Sequence, residues 1–259
     1  MPELIFLGTG AAGYVGSARQ LSSTYFDGLL LDCSAGTVGR LEDVKSVEKL
    51  KAVLISHVHS DHYAGLFDLL VHLDIKCIIN EKLNGKRKQQ KLFVYCPEGL
   101  KPIIRKMAEM GKVYEFFFDY LQVNFIEVQD GMEFEVDDKK IKAILMDHKE
   151  TDSFGYLINN GKFKLFYTGD TMEPSALEKF KVDYLIHEAT FTEKYRKFAK
   201  ATGHSTGKDA AEVALKTGAK KLFLTHVNNN LEREENIYKE AKEIFAATVL
   251  PNDLDEFHL

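Results

Sequence analysis

The chain has 259 residues, with 34 Lys and Arg against 39 Asp and Glu, giving a net charge of −5 and a pI near 6.0. An apolar fraction of 45% beside 28% charged residues is ordinary globular composition and excludes a disordered tail or a collagen-like chain. The acidic balance argues against bulk-charge binding to nucleic acid, and it leaves room for a small nucleotide held by a few local contacts.

Strand-like runs come first, over 4–7, 22–26, 28–32 and 52–55, each rich in apolar or β-branched residues and bounded by Gly or Asp. A helix is expected over 63–73, a strand over 92–95 and a helix over 101–110. A second group of strands follows at 123–128, 133–136, 141–146, 154–159 and 164–168, with hairpin turns at Asp137-Asp138 and Asn159-Asn160-Gly161. Strand, helix, strand and helix close the chain at 184–188, 206–216, 222–225 and 234–245. This order suggests an α+β chain with two mixed sheets packed face to face and helices outside, rather than an alternating parallel sheet. No apolar run approaches bilayer length, and the first residues carry no basic and apolar leader, so neither a membrane span nor a signal peptide is expected. Cys33, Cys77 and Cys96 are odd in number and widely spaced; they read as reduced thiols of a cytoplasmic protein. The basic cluster over 81–91 reads as a solvated loop.

Gly8-Thr9-Gly10-Ala11-Ala12-Gly13 fits a dinucleotide-binding fingerprint after a strand, but the pattern counts only where it opens a helix. Residues 14–23 lack the apolar period of a helix, and 24–32 reads as a hairpin turning at Asp27-Gly28. The glycines are better explained by a tight turn that lets backbone approach a site.

The strongest signal is His57-Val58-His59-Ser60-Asp61-His62, three histidines and an aspartate within six residues directly after an apolar strand. Imidazole and carboxylate are preferred ligands of zinc and similar divalent ions. His57 and His59, two apart, point to one side of an extended segment and can grip one ion. Asp61 and His62 follow at the turn into a helix and can face a second.

This run resembles the signature of the metallo-β-lactamase superfamily. The resemblance implies an αββα sandwich, a single hydrolase domain over 1–259, and two divalent ions at one edge of the sheets. Zinc suits the donors, and manganese accepts the same set. It also implies ligands at later strand ends, which are found at His148, at Asp170 within Thr168-Gly169-Asp170-Thr171, and at His226. By resemblance, His57, His59 and His148 hold one ion, Asp61, His62 and His226 the other, and Asp170 bridges them. A hydroxide between the ions would then be the nucleophile. Asp32 resembles the family's carboxylate supporting the metal loop from behind.

His187-Glu188-Ala189-Thr190 and Gly203-His204-Ser205-Thr206 are similar to ribonuclease Z, the tRNA 3′-end endonuclease, and to its smaller phosphodiesterase relatives. That branch implies His204 as the acid that protonates the leaving oxygen and Glu188 as its orienter. Asp61 is a ligand and candidate base. His187 is read as supporting or structural, and His72 and His258 as non-catalytic.

Three features depart from ribonuclease Z. Residues 113–128 leave no room for its Gly-rich basic arm. Only 22 positions separate His148 from Asp170. Val227-Asn228-Asn229-Asn230 replaces the Ser-x-Arg-Tyr continuation. The chain therefore resembles the armless cyclic-nucleotide phosphodiesterases of the superfamily, including the phage anti-Pycsar proteins. The substrate expected is a small nucleotide, foremost a 3′,5′-cyclic one, with a homodimer implied by the family. Tyr14, Phe116, Phe117, Phe118 and Tyr120 are candidates for stacking on a base, or for the core. A tRNA 3′ endonuclease, a lactonase-type hydrolase and a non-catalytic sensor are the alternatives.

Overall fold

The computed structural model describes residues 1–13, 19–85, 90–111, 121–149, 151–172 and 174–259. The first sheet has seven strands in the order β14-β1-β2-β3-β4-β5-β6. They are β1 (Glu3–Gly8), β2 (Ser23–Phe26), β3 (Leu29–Leu31), β4 (Ala52–Leu54), β5 (Gln90–Cys96), β6 (Leu121–Glu127) and β14 (Glu256–His258). The second runs β13-β12-β11-β10-β9-β8-β7. Its strands are β7 (Glu133–Val136), β8 (Lys139–Met146), β9 (Ser153–Asn159), β10 (Lys164–Tyr167), β11 (Tyr184–Glu188), β12 (Lys221–Thr225) and β13 (Thr248–Val249). Both sheets are mixed. β3 to β6 and β10 to β13 run parallel, and the remaining pairs are antiparallel.

Three apolar layers account for the αββα order. Leu4, Phe6, Leu31 and Leu54 of the first sheet meet Tyr156, Ile158, Ile186 and Phe223 of the second in the central layer. The opposite face of the first sheet is covered by α1 (Thr37–Val44), α3 (Leu66–Asn84) and α4 (Leu100–Met110) through Leu41, Leu66, Leu73 and Ile104. The outer face of the second sheet packs on α6 (Gly207–Thr217) and α7 (Glu234–Ile244) through Ala210, Ala214, Ile237 and Ala241. The expected fold class is thus the observed one. A one-turn helix α2 (Ser60–Tyr63) and a short α5 (Arg196–Thr202) complete the helices used below.

The hairpins fall where the turn residues put them. Asp27 and Gly28 both have positive φ, the requirement of the two-residue turn between β2 and β3. Two expectations need correction. The helix read as 63–73 begins at Leu66 and continues to Asn84, ending on Gly85 with φ +63°. Residues 81–84 of the basic segment therefore lie in helix, and 86–89 lie outside the described residues. The polar Asp74 and Lys76 hide the continuation, as do Ile75, Ile79 and Leu83, which place apolar residues on the exposed face and blur the period. Helix α1 was not expected at all, because Gly39 weakens its pattern.

Candidate metal centre

The expected ligands all emerge at one edge of the sandwich, just beyond strand ends. β4 leads into His57 and His59, α2 carries Asp61 and His62, β8 leads to His148, β10 to Asp170 and β12 to His226. The first sheet thus supplies four of these side chains and the second supplies three. Two hydrogen bonds fasten the His57 loop across the sheets: Tyr156 hydroxyl to Ile55 carbonyl (2.7 Å) and Phe154 N–H to Ser56 carbonyl (2.9 Å).

Five overlapping groups of three donor atoms form here among the described residues; two that share no residue are the triads His57–His59–His148 and Asp61–His62–His226, each with its atoms within 4.8 Å of one another. His57 Nε2 lies 2.9 Å from His59 Nδ1, and His148 Nε2 lies 3.2 Å from that same atom. His226 Nε2 is 3.4 Å from Asp61 Oδ2. Asp170 stands between the triads, with Oδ2 at 3.3 Å from His62, 3.4 Å from His226 and 3.8 Å from His57.

The distal ring nitrogens are already committed. His148 Nδ1 donates to the Gly203 carbonyl at 2.7 Å. His62 Nδ1 donates to Asp32 Oδ2 at 2.6 Å. The Ser56 hydroxyl, giving its proton to Asp32, accepts from His57 Nδ1 at 2.9 Å. Each ring is therefore held with its Nε2 lone pair turned inward. Among the described residues, His62 Nε2 and Asp170 Oδ1 are buried without a hydrogen-bond partner. Lone pairs of imidazoles and carboxylates packed this closely need positive charge among them, and the donor set fits divalent ions.

The electrostatics agree. Burial pushes His57 well below its ordinary pKa, with His62 adding to the effect. Burial would lower His62 as well, but Asp170 and Asp32 outweigh it and drive that ring well above its ordinary value. Burial would raise Asp61 and Asp170; hydrogen bonds and charge from His226 and His62 hold both well below the carboxylate range.

His204 sits against both triads, its ring stacked 5.2 Å from that of His226 and tilted 5.3 Å from that of His148. Its Nδ1 lies 3.2 Å from Glu188 Oε1 and 3.7 Å from Asp170 Oδ2. Burial would lower its pKa, but the Glu188 carboxylate overrides it and raises the value to about 9. Glu188 is fully buried and also accepts from Thr171 N–H, Ser205 N–H, Thr190 N–H and the Thr190 hydroxyl.

The glycine-rich segment serves this site. Gly10 pairs with both Leu21 and Val227, and a Cβ on Gly8 would meet the Leu21 carbonyl at 2.1 Å. Thr9 and Ala11 clasp Val227 through its N–H and carbonyl. With the Ser22 hydroxyl accepting from His226 N–H, they hold His226 at φ +54°, a region a non-glycine residue rarely occupies.

Other expectations resolve plainly. His187 points away from Glu188 along the strand and donates from Nδ1 to the Glu188 carbonyl, so it lies outside the cluster. His72 lies 3.9 Å from Glu42, and His258 belongs to β14; neither approaches the site. Tyr14, Phe116, Phe117, Phe118 and Tyr120 lie outside the described residues, as does the stretch 112–120 where the missing arm was inferred. Ser56, Thr190 and the Gly203 carbonyl were not foreseen. Thr190, two residues beyond Glu188, had a legible signal, since residues two apart in an extended chain share a face.

The model of the "Beta-lactamase superfamily domain" matches residues 28–227. A ribonuclease Z of Saccharolobus islandicus is 30% identical over 301 aligned positions, covering 98% of each chain. An alignment of that length cannot be filled by 259 residues, so the relative carries segments with no counterpart here. The crystal structure of the short form of human tRNase Z superposes with a TM-score of 0.77 at 26% identity, covering 99% of this chain and 98% of that one. The metallo-beta-lactamase fold protein YhfI from Bacillus subtilis, at 22% identity and a TM-score of 0.81 over all of both chains, shares the fold. This protein belongs to the beta-lactamase superfamily, as a metallo-β-lactamase-fold hydrolase of the ribonuclease Z-like branch.

Proposed function

We propose that the chain is a single-domain, two-metal phosphodiesterase that opens small nucleotide phosphodiesters, foremost 3′,5′-cyclic nucleotides. His57, His59 and His148 would hold one ion, Asp61, His62 and His226 the other, with Asp170 between them; zinc is the metal this donor set favours. Two bound ions supply an activated water and neutralise the phosphate. The carrying observation is the buried Glu188 set against His204 at the rim of the two triads. Glu188 takes the Nδ1 hydrogen of His204 and leaves Nε2 free to hand a proton to the departing ribose oxygen. The Glu188 carboxylate overrides burial and raises the ring's pKa to about 9, which favours its protonated form. Asp61, held far below the carboxylate range, serves as an anionic donor rather than as a base.

A small substrate is favoured because the chain lacks segments that the aligned ribonuclease Z carries, and because its acidic balance offers little attraction to a large RNA. The same reading takes the protein as a cytoplasmic homodimer. Ile75, Ile79 and Leu83 of α3 with Met110 of α4 expose apolar surface of the sort that a partner covers, and a monomer mass on sedimentation would remove this part. Among the described residues no helix is long and apolar enough to cross a membrane.

The test is hydrolysis of the four 3′,5′-cyclic nucleotides with zinc or manganese, using His204→Ala as control. Ring opening lost in the variant supports the proposal. The second reading, tRNA 3′-end cleavage, is favoured by likeness to ribonucleases Z over nearly the whole chain. It takes first place if a precursor tRNA is cut while every cyclic nucleotide survives.

A further inference from the structure

Glu188 faces His204 with one oxygen; its other oxygen faces Thr190. The Thr190 hydroxyl donates to Glu188 Oε2 at 2.7 Å and lies 2.9 Å from His226 Nδ1. A hydroxyl has a single proton. Once that proton goes to the carboxylate, the Thr190 oxygen can only accept, so the hydrogen in the second bond belongs to His226 Nδ1. The lone pair of His226 is then on Nε2, which faces Asp61 and Asp170 at 3.4 Å each. Thr190 is 2% exposed and His226 3%, so water has no access to stand in for the hydroxyl. Three of the other rings are fixed the same way by separate groups: His57 by Ser56, His62 by Asp32 and His148 by the Gly203 carbonyl. Only the His226 bond passes through a group that also supports Glu188.

We propose that Thr190 is a positioning residue that locks His226 in its ligating tautomer and ties the Asp61–His62–His226 triad to the Glu188–His204 pair. The consequence is selective. Loss of the hydroxyl loosens one of two ions and leaves the His57–His59–His148 triad untouched, because that triad has no bond to Thr190 among the described contacts. This rests on the two-ion reading above.

The test is zinc release from the loaded protein under a competing chelator, with the two ions followed as separate steps. Thr190→Val removes the hydroxyl at constant shape, and Thr190→Ser keeps it. Thr190→Val should weaken one ion by about 10- to 100-fold, the usual scale for losing a ligand's hydrogen-bond partner, and leave the other within about twofold. Thr190→Ser should bind both nearly as the parent does. The proposal is overturned if Thr190→Val holds both ions normally, if both weaken together, or if Thr190→Ser is no better than Thr190→Val. Should Thr190→Val not fold, Thr190→Ala carries the same comparison. A parent protein that binds fewer than two zinc ions would instead remove the two-ion reading itself, and the proposal with it.

Discussion

Asp32 touches none of the inward-facing donor atoms, yet four donors end on its carboxylate: Ser56 N–H (2.6 Å), the Ser56 hydroxyl (2.8 Å), His62 Nδ1 (2.6 Å) and the Tyr167 hydroxyl (2.6 Å). It is fully buried at φ +55°. Removing it leaves four buried donors without their acceptor. Asp32→Ala should therefore cost about 3–5 kcal/mol in urea unfolding, the scale of several buried donors left unsatisfied at about 1–3 kcal/mol each. A loss under about 1 kcal/mol would mean that the four bonds are replaceable. His204 predicts a different signature. If it protonates the leaving oxygen, His204→Ala should slow a cyclic nucleotide by about 100- to 10,000-fold. A 4-nitrophenyl phosphodiester, whose leaving group departs without a proton, should slow far less. Equal losses on both substrates would contradict the acid role. The His57–His62 run was legible because its members are neighbours in sequence. Ser56 and the Gly203 carbonyl were not, because each acts through one atom whose partner is set by the fold, and Thr190 was legible only as a residue sharing a face with Glu188.

At the scale of elements, hairpins and parallel strands followed from turn residues and apolar runs, whereas helices with apolar residues on two faces did not. Helix α3 is the clearest case. Its exposed Ile75, Ile79 and Leu83 look like core to any periodic reading. The glycine-rich segment shows the converse. Its pattern suggested a nucleotide loop, and only the failed helix context argued otherwise. In the fold it is a strand end wedged between residues 19–21 and Val227. Arg19 braces it from outside, pairing with Glu234 at 2.7 Å and donating to the Pro251 carbonyl, while Asp253 accepts from Thr9 and from Gln20 N–H. Gly8→Ala forces a Cβ onto the Leu21 carbonyl, which is backbone and cannot swing aside. We expect a loss of about 1–3 kcal/mol in thermal or urea unfolding. Weaker zinc binding should accompany it, since the same ladder holds His226. Unchanged zinc affinity in a destabilised Gly8→Ala would separate the segment's packing role from its support of the site.

At the scale of the whole molecule, the two sheets meet along an apolar layer and again at the donor cluster, where the first sheet brings His57, His59, Asp61 and His62 and the second brings His148, Asp170 and His226. Ions held by both triads would bind side chains of both sheets at once and so clamp one edge of the sandwich. The folded chain alone presents these donors together, so metal binding must add to folding stability. An ion at a hundred times its Kd contributes about 2.7 kcal/mol, and for a chain of this size each kcal/mol moves Tm by roughly 2–4 °C. Stripping both ions with a chelator should then lower Tm on the order of 10 °C or more, and added zinc should restore it. Hydrogen exchange should localise the loss. Amides following β4, β8, β10 and β12 should lose protection first, because the closely packed donors there lose the positive charge that holds them together. The opposite edge, where Val136 pairs with Lys139 at the β7–β8 turn, should be unaffected. A Tm that does not respond to chelation, or protection lost evenly over both sheets, would mean that the apolar layer alone joins them and that the cluster has no part in holding the fold.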